Sequence, residues 1–302
     1  MIAGFRLFSI LLLVVLSQSA QAQQAYPSAD AAAEALVVAL GSEKGDAERL
    51  AALLGADWQS YIPTGDVERE DVDAFLGLYR EKHMIEPTAA GRAALVVGNT
   101  PWTFPLPLVQ GKAGWTFDSK AGGEEIRVRR IGRNELASVE AVLAYHDAQM
   151  DYAEVDRDGD GVLEYAQQFM SSDGQYDGLY WPEQPGIEES PLGPLFGDEL
   201  PDGEWQGYHY RILSAQGASA PGGAYDYRLG DNMTRGFALI AWPAEYADSG
   251  VMSFMISHEG QVFEKDLGPD GAKLATSMVR FDPDSSWSEV AAEAEVEALA
   301  TP

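Results

Sequence analysis

Residues 122–154 read GGEEIRVRRIGRNELASVEAVLAYHDAQMDYAE, and their spacing predicts one long helix at the centre of the chain. Leu136, Val139, Leu143, Met150 and Ala153 recur at steps of three or four along much of this stretch, the period that lines residues along one helix face. His146 falls on the same stripe, where a lone imidazole reads as a packed, hydrogen-bonded residue before it reads as a base. Arg127, Arg129, Arg130 and Arg133 make the only dense basic cluster. In so acidic a chain they are expected to pair with carboxylates across a junction between halves, with guanidinium recognition of an anionic ligand as the alternative. Gly132–Glu135 resembles a break followed by a fresh N-cap, which puts a domain boundary at 132/133.

Ahead of this helix, Ser28 precedes an Ala-rich apolar run that Gly41 stops, the pattern of a capped helix. Further helices are expected near Ala47–Leu54 and Glu70–Lys82, then strands at Ala93–Gly98, Trp102–Val109 and Trp115–Asp118. Pro105 and Pro107 confine the second of these to a sheet edge or a bulge, because proline cannot donate to a ladder. Helices followed by a small antiparallel sheet give an α+β domain over residues 23–132, laid out like the cone of the nuclear-transport-factor-2 group. That likeness is one of pattern and implies no activity.

Behind the helix, Asp156–Arg157–Asp158–Gly159–Asp160–Gly161–Val162–Leu163–Glu164 is the most specific chemical signal. Carboxylates at positions one, three and five, a glycine at six, the Val162 carbonyl at seven and Glu164 at nine match a calcium loop. Gln167 stands where an EF-hand has its bidentate Glu, so any site is expected to be weak. The plainer reading is an Asp/Gly turn held by its own side chains. A short helix is expected at Leu163–Met170. A long irregular stretch, Ser171–Gln206, follows, and then an antiparallel meander at Gly207–Leu213, Gly236–Trp242, Gly250–Ser257 and Gln261–Lys265. This second domain spans 133–285, and an acidic helical tail is expected at Ser286–Ala300 within 286–302.

Twelve aromatics fall between Tyr176 and Tyr246. Were their rings exposed, Tyr180, Trp181, Tyr225, Tyr227, Trp242 and Tyr246 would suit a glycan or peptide ligand; ordinary core packing is the competing account.

The 302 residues carry 48 acidic and 20 basic side chains, a net charge of −28, and no cysteine. That balance excludes a nucleic-acid surface, which needs clustered cations, and the missing thiols exclude disulfides and cysteine chemistry. Residues 1–22 read as a secretory signal: Arg6, an apolar run at Leu7–Leu16, and Ala20–Gln21–Ala22 before the expected cleavage site. The run is shorter than the roughly 20 residues a membrane span needs. The mature protein is therefore expected in the periplasm or outside the cell, with no membrane insertion once the signal is removed.

Several strings look familiar together. They include WTFPLPLV (102–109), GWTFD (114–118), RRIGRNEL (129–136), DGLYWP (177–182), GGAYDY (222–227) and GFALIAWPAEY (236–246). Across about residues 24–290 the chain resembles domain-of-unknown-function family 2950, a group of exported bacterial proteins. The resemblance implies export and carries no catalytic residue. The C-terminal half is also similar, in fragments, to the globular head of minor pseudopilins.

No Ser, His or phosphate-loop motif of a known catalytic type is present. The favoured reading is a cell-envelope binding or assembly protein, its partner an envelope protein or glycan, stiffened by calcium. A carboxylate-dependent hydrolase of an envelope glycan is the first alternative, with Asp177, Asp226 and Glu245 as the acids beside the aromatics. A pilin-like accessory of a secretion or adhesion system is the second.

Overall fold

The computed structural model describes residues 23–41, 45–65, 67–157, 159–183, 185–193 and 204–291. The proposed signal, Asp158, Phe196 and the tail beyond residue 291 lie outside them. Two compact units divide the chain, the first closing at Glu124 and the second opening at Glu125.

The first unit starts with α1 (Ala29–Leu40), whose N-cap Ser28 accepts a hydrogen bond from the Ala31 N–H, followed by α2 (Ala47–Leu54) and α3 (Arg69–Glu81). Five antiparallel strands come next: β1 (His83–Ala89), β2 (Arg92–Val97), β3 (Trp102–Thr103), β4 (Leu108–Gly111) and β5 (Gly114–Phe117). Leu95 and Val97 of β2 pack with Ala33 of α1 in a fully buried cluster. The single strand expected over Trp102–Val109 is instead two, because Pro105 and Pro107 have no N–H to continue the ladder. Strand β1 carries no alternation to announce it. It is an exposed edge that tolerates Pro87 through an irregular register between Pro87 and Ala89.

α4 (Ser119–Tyr152) is the long helix. Its first turn sits close on the first unit through a glycine pair. A β-carbon on Gly122 would lie 2.5 Å from Leu106 Cγ, and one on Gly123 would lie 2.3 Å from the Tyr61 carbonyl oxygen. The break expected at Gly132–Glu135 is absent and the helix runs through it. A side chain at Gly132 would meet nothing within 4 Å. The residues around it dock instead on one loop of the second unit. Arg130 pairs with Asp248, Asn134 Nδ2 donates to the Ser249 carbonyl at 2.8 Å, and Glu135 Oε1 accepts the Val251 and Met252 N–H groups at 2.9 Å.

In the second unit β6 (Glu204–Trp205) and β7 (Tyr208–Leu213) lead into three short strands, β8 (Ala215–Gln216), β9 (Tyr225–Asp226) and β10 (Arg228–Leu229). Then come β11 (Asn232–Met233), β12 (Ala238–Pro243), β13 (Met252–Ser257), β14 (Val262–Asp266), α5 (Gly271–Ser277) and β15 (Ser288–Glu289). The main sheet is antiparallel in the order β15-β14-β13-β12-β7-β6. Every residue of β12 is buried, as befits a central strand covered on both faces. Val139, Val142, Tyr145, Ala148 and Tyr152 of α4 join Phe237, Leu239 and Ile240 in the core. The architecture is α+β, with a long central helix and a C-terminal antiparallel meander. Among the described residues no helix is long and apolar enough to cross a membrane.

Two further expectations are corrected. Residues 163–170 form no helix, because their main chain is bonded elsewhere: Tyr165 N–H to the Met233 carbonyl, Ala166 to the Gln149 side chain, and Met170 in a bridge to Tyr180. Of the expected tail helix, Ser288–Glu289 is a strand paired with Phe263 and Glu264, and the residues from 292 on lie outside the described set.

Candidate functional site

A cleft of about 240 Å³ opens in the second unit where the end of α4 meets the irregular segment behind it. Tyr152, Tyr165 and Tyr176 supply its rings, Arg157 its cation, and Glu164 and Asp177 its carboxylates. The amides of Gln167, Gln168 and Gln175 complete the lining.

Four hydrogen bonds shape the walls, two of them from Gln149. Gln149 ties Ala166 to α4, the Tyr152 hydroxyl donates to the Tyr176 carbonyl at 3.0 Å, and Gln167 Nε2 donates to the Asp231 carbonyl at 2.6 Å. Asp177 accepts from the Ser172 N–H at 2.7 Å and the Ser172 hydroxyl at 2.9 Å. Partial burial works against its charge, but the Ser172 hydrogen bonds outweigh that and hold the carboxyl below the ordinary Asp value. Glu164 Oε2 accepts the Met233 N–H at 3.1 Å.

Arg157 is the unusual member. Its side chain is only 10% exposed, and its guanidinium carbon lies 5.1 Å from the Tyr152 ring centre and 5.0 Å from that of Trp181. The geometry is that of a cation on two aromatic faces. Trp181 is fixed in turn by its Nε1–H, which donates to the Glu188 carbonyl at 2.9 Å, and by an edge contact with Tyr176. Yet the guanidinium makes no hydrogen bond with any described residue, and its Nε is buried without a partner. Among the described residues its one ion pair is to Glu188, 3.5 Å away, whose side chain is 68% exposed. Pairs of that kind contribute about 0–1 kcal/mol, whereas a buried unsatisfied donor costs about 1–3 kcal/mol.

Proteins described as "Protein of unknown function (DUF2950)" form a family whose model matches residues 23–290. The chain belongs to this family. No curated protein and no solved structure matches it.

The DUF2950 fold places the residues singled out in the sequence as follows. Asp156 closes its loop by accepting the Gly159 and Gly161 N–H groups at 2.8 and 2.9 Å. Asp160 accepts the Val162 N–H at 2.7 Å and the Asn232 side-chain amide at 2.6 Å. The loop is thus tied down by its own carboxylates, with Asp158 outside the described residues and Val162 exposed. Among the described residues no group of three or more acidic, His or Cys side chains converges as a metal site. Glu164 belongs to both this loop and the cleft.

Most of the described aromatics belong to the core or pack against it. Of the twelve, none that lies among the described residues is exposed. Trp181, Tyr227 and Trp242 are buried, and Tyr180 is half-buried in its bridge to Met170. Tyr225 lies half-buried under Arg235, 4.7 Å from its ring centre, and the Tyr246 hydroxyl donates to Asp266 at 3.2 Å. Of the two accounts offered for these rings, their burial agrees with ordinary packing: placing large rings in the core removes more apolar area from water than displaying them. Of the six, only Trp181 supports the cleft, by holding Arg157. Asp226 and Glu245 do not line it; Asp226 accepts the Arg228 N–H at 2.9 Å. His146 packs against Phe237, with ring centres 5.5 Å apart.

Arg157 has no part in the calcium-loop pattern of the sequence, where it only separates two aspartates. The signal that could have found it is its isolation, since it is the only Lys or Arg between Arg133 and Arg211.

Proposed function

We propose that this chain is an exported binding protein of the cell envelope, and that the cleft between Tyr152 and Asp177 holds its ligand. The observation that carries this reading is the state of the cleft's acids. Glu164 is bonded to the main chain at Met233, and Asp177 to Ser172, which also keeps Asp177 ionised. A glycosidase acid must be raised toward its protonated form, the opposite of the direction at Asp177. Carboxylates fixed in this way suit holding a ligand over cleaving it. Export is supported by the secretory pattern of residues 1–22 and by a family match that begins at residue 23, directly after the expected cleavage site.

Calcium enters the proposal as an addition to the 156–164 loop, which Asp156 and Asp160 already close through main-chain bonds. The test of function is a thermal-shift screen against envelope building blocks, with every hit recovered and weighed by mass spectrometry. One compound class is expected to raise the unfolding midpoint and to return intact. A cleaved product, or no stabilising compound at all, overturns the reading.

A further inference from the structure

We infer that the cleft takes a zwitterion, the free end of an amino acid or short peptide, with its carboxylate on Arg157 and its ammonium toward Asp177 and Glu164. The inference deepens the proposed binding function and rests on it. Its starting point is a guanidinium nine-tenths buried that lines the cleft and donates to no described residue. Guanidinium groups recognise carboxylates through paired, charge-assisted hydrogen bonds, and stacking on Tyr152 and Trp181 holds this one in place for such a contact. Its exposed partner Glu188, 3.5 Å away, is within reach of displacement by a better-placed carboxylate.

The charge of the lining decides between ligand classes. One cation and two carboxylates share the cleft. A neutral sugar would bring no charged acceptor to a guanidinium that donates to no described residue, and a simple anion would face Asp177 and Glu164. A zwitterion answers both signs at once. The volume of about 240 Å³ is below the roughly 300–1,000 Å³ of ordinary ligand clefts, the size for a single residue. Tyr165 and Tyr176 offer rings against which its side chain can lie. Arg157 is also the only Lys or Arg in the whole stretch from 134 to 210, so no permanently charged neighbour in sequence could take its place.

The experiment is isothermal titration of the purified protein with the common L-amino acids and with L-alanyl-L-alanine and D-alanyl-D-alanine. Every binder is repeated as its C-terminal amide and as its N-acetyl form, and D-glucose and D-glucuronate are run in parallel. At least one free zwitterion is expected to bind, and each cap is expected to weaken it by at least about tenfold, the loss of a charged hydrogen bond. Arg157→Gln should match the loss caused by amidation. Because the capped probes act on the unaltered protein, the result stands even if that variant folds poorly. Caps without effect, or glucose or glucuronate binding where no zwitterion does, overturn the inference and leave the binding function in place. Silence from every probe overturns the inference, and silence in the wider thermal-shift screen as well removes the binding function with it.

Discussion

The side-chain amide of Gln149 pairs with the backbone of Ala166 through both of its ends: Nε2 donates to the carbonyl and Oε1 accepts the N–H, each at 2.8 Å. Gln149 is fully buried, and so is Ala166. The helix thus offers the passing chain bonds of the kind a neighbouring strand would offer, and the main chain of Ala166 is not free to bond within a helix of its own. Replacing Gln149 with Leu keeps the volume and removes both bonds. Two buried main-chain groups without partners imply a loss of roughly 2–4 kcal/mol. Urea unfolding of Gln149→Leu measures it, and faster amide exchange at Ala166 would locate it.

Asp156 plays the same part in the acidic loop by accepting the Gly159 and Gly161 N–H groups. Asp156→Ala is expected to lower the midpoint by roughly 2–4 °C in the presence of a chelator, taking about 1 kcal/mol for those bonds. A calcium site of roughly 10⁻⁴–10⁻³ M strength adds only about 0.4–1.4 kcal/mol at millimolar calcium. Calorimetric scans in calcium and in chelator should therefore differ by a shift of the same order as the Asp156→Ala effect. A much larger shift would mean that the metal builds the loop, and identical midpoints would take calcium out of the proposal.

Elements whose pattern is set by their own residues were legible in the sequence. α1 announces itself through Ser28 and its apolar stripe, and β7, β12, β13 and β14 fall within a residue or two of where the apolar runs put them. What could not be read is set by partners distant in the chain. Residues 163–170 have helical spacing, but Gln149 and Met233 claim their main chain. The cleft was invisible for the same reason. Arg157 becomes notable only when Tyr152 and Trp181 close over it, and nothing in the local string says that its donors will find no acceptor.

Glu264 gives a pH signature. It sits half-buried on β14, where burial first and the charge of Glu135 second push its carboxyl above the ordinary Glu value. A carboxyl raised in the folded state favours the protonated form there, so ionisation weakens the fold as pH climbs through the ordinary Glu range. Glu264→Gln removes that penalty. The variant should unfold at a higher temperature than the parent at pH 7, by less than about 1 kcal/mol given its partial exposure. The gain should vanish below the ordinary Glu value, where the parent is protonated whether folded or not. A gain independent of pH would assign the effect to packing instead.

The glycines of α4 make opposite predictions within one helix. At Gly123 a β-carbon would sit 2.3 Å from the Tyr61 carbonyl oxygen, a main-chain atom that cannot swing aside. Gly123→Ala should therefore cost about 1–3 kcal/mol through forced backbone shifts. At Gly132 a β-carbon meets nothing within 4 Å, and the helix continues on either side. Gly132→Ala should then raise stability by about 0.5–1 kcal/mol, since alanine loses less freedom on becoming helical. Thermal unfolding of the two variants side by side separates close approach from mere helix propensity. If Gly132→Ala destabilised the protein, the helix would have to break there in solution after all, and the clamp formed by Arg130, Asn134 and Glu135 on residues 248–252 would need a different geometry.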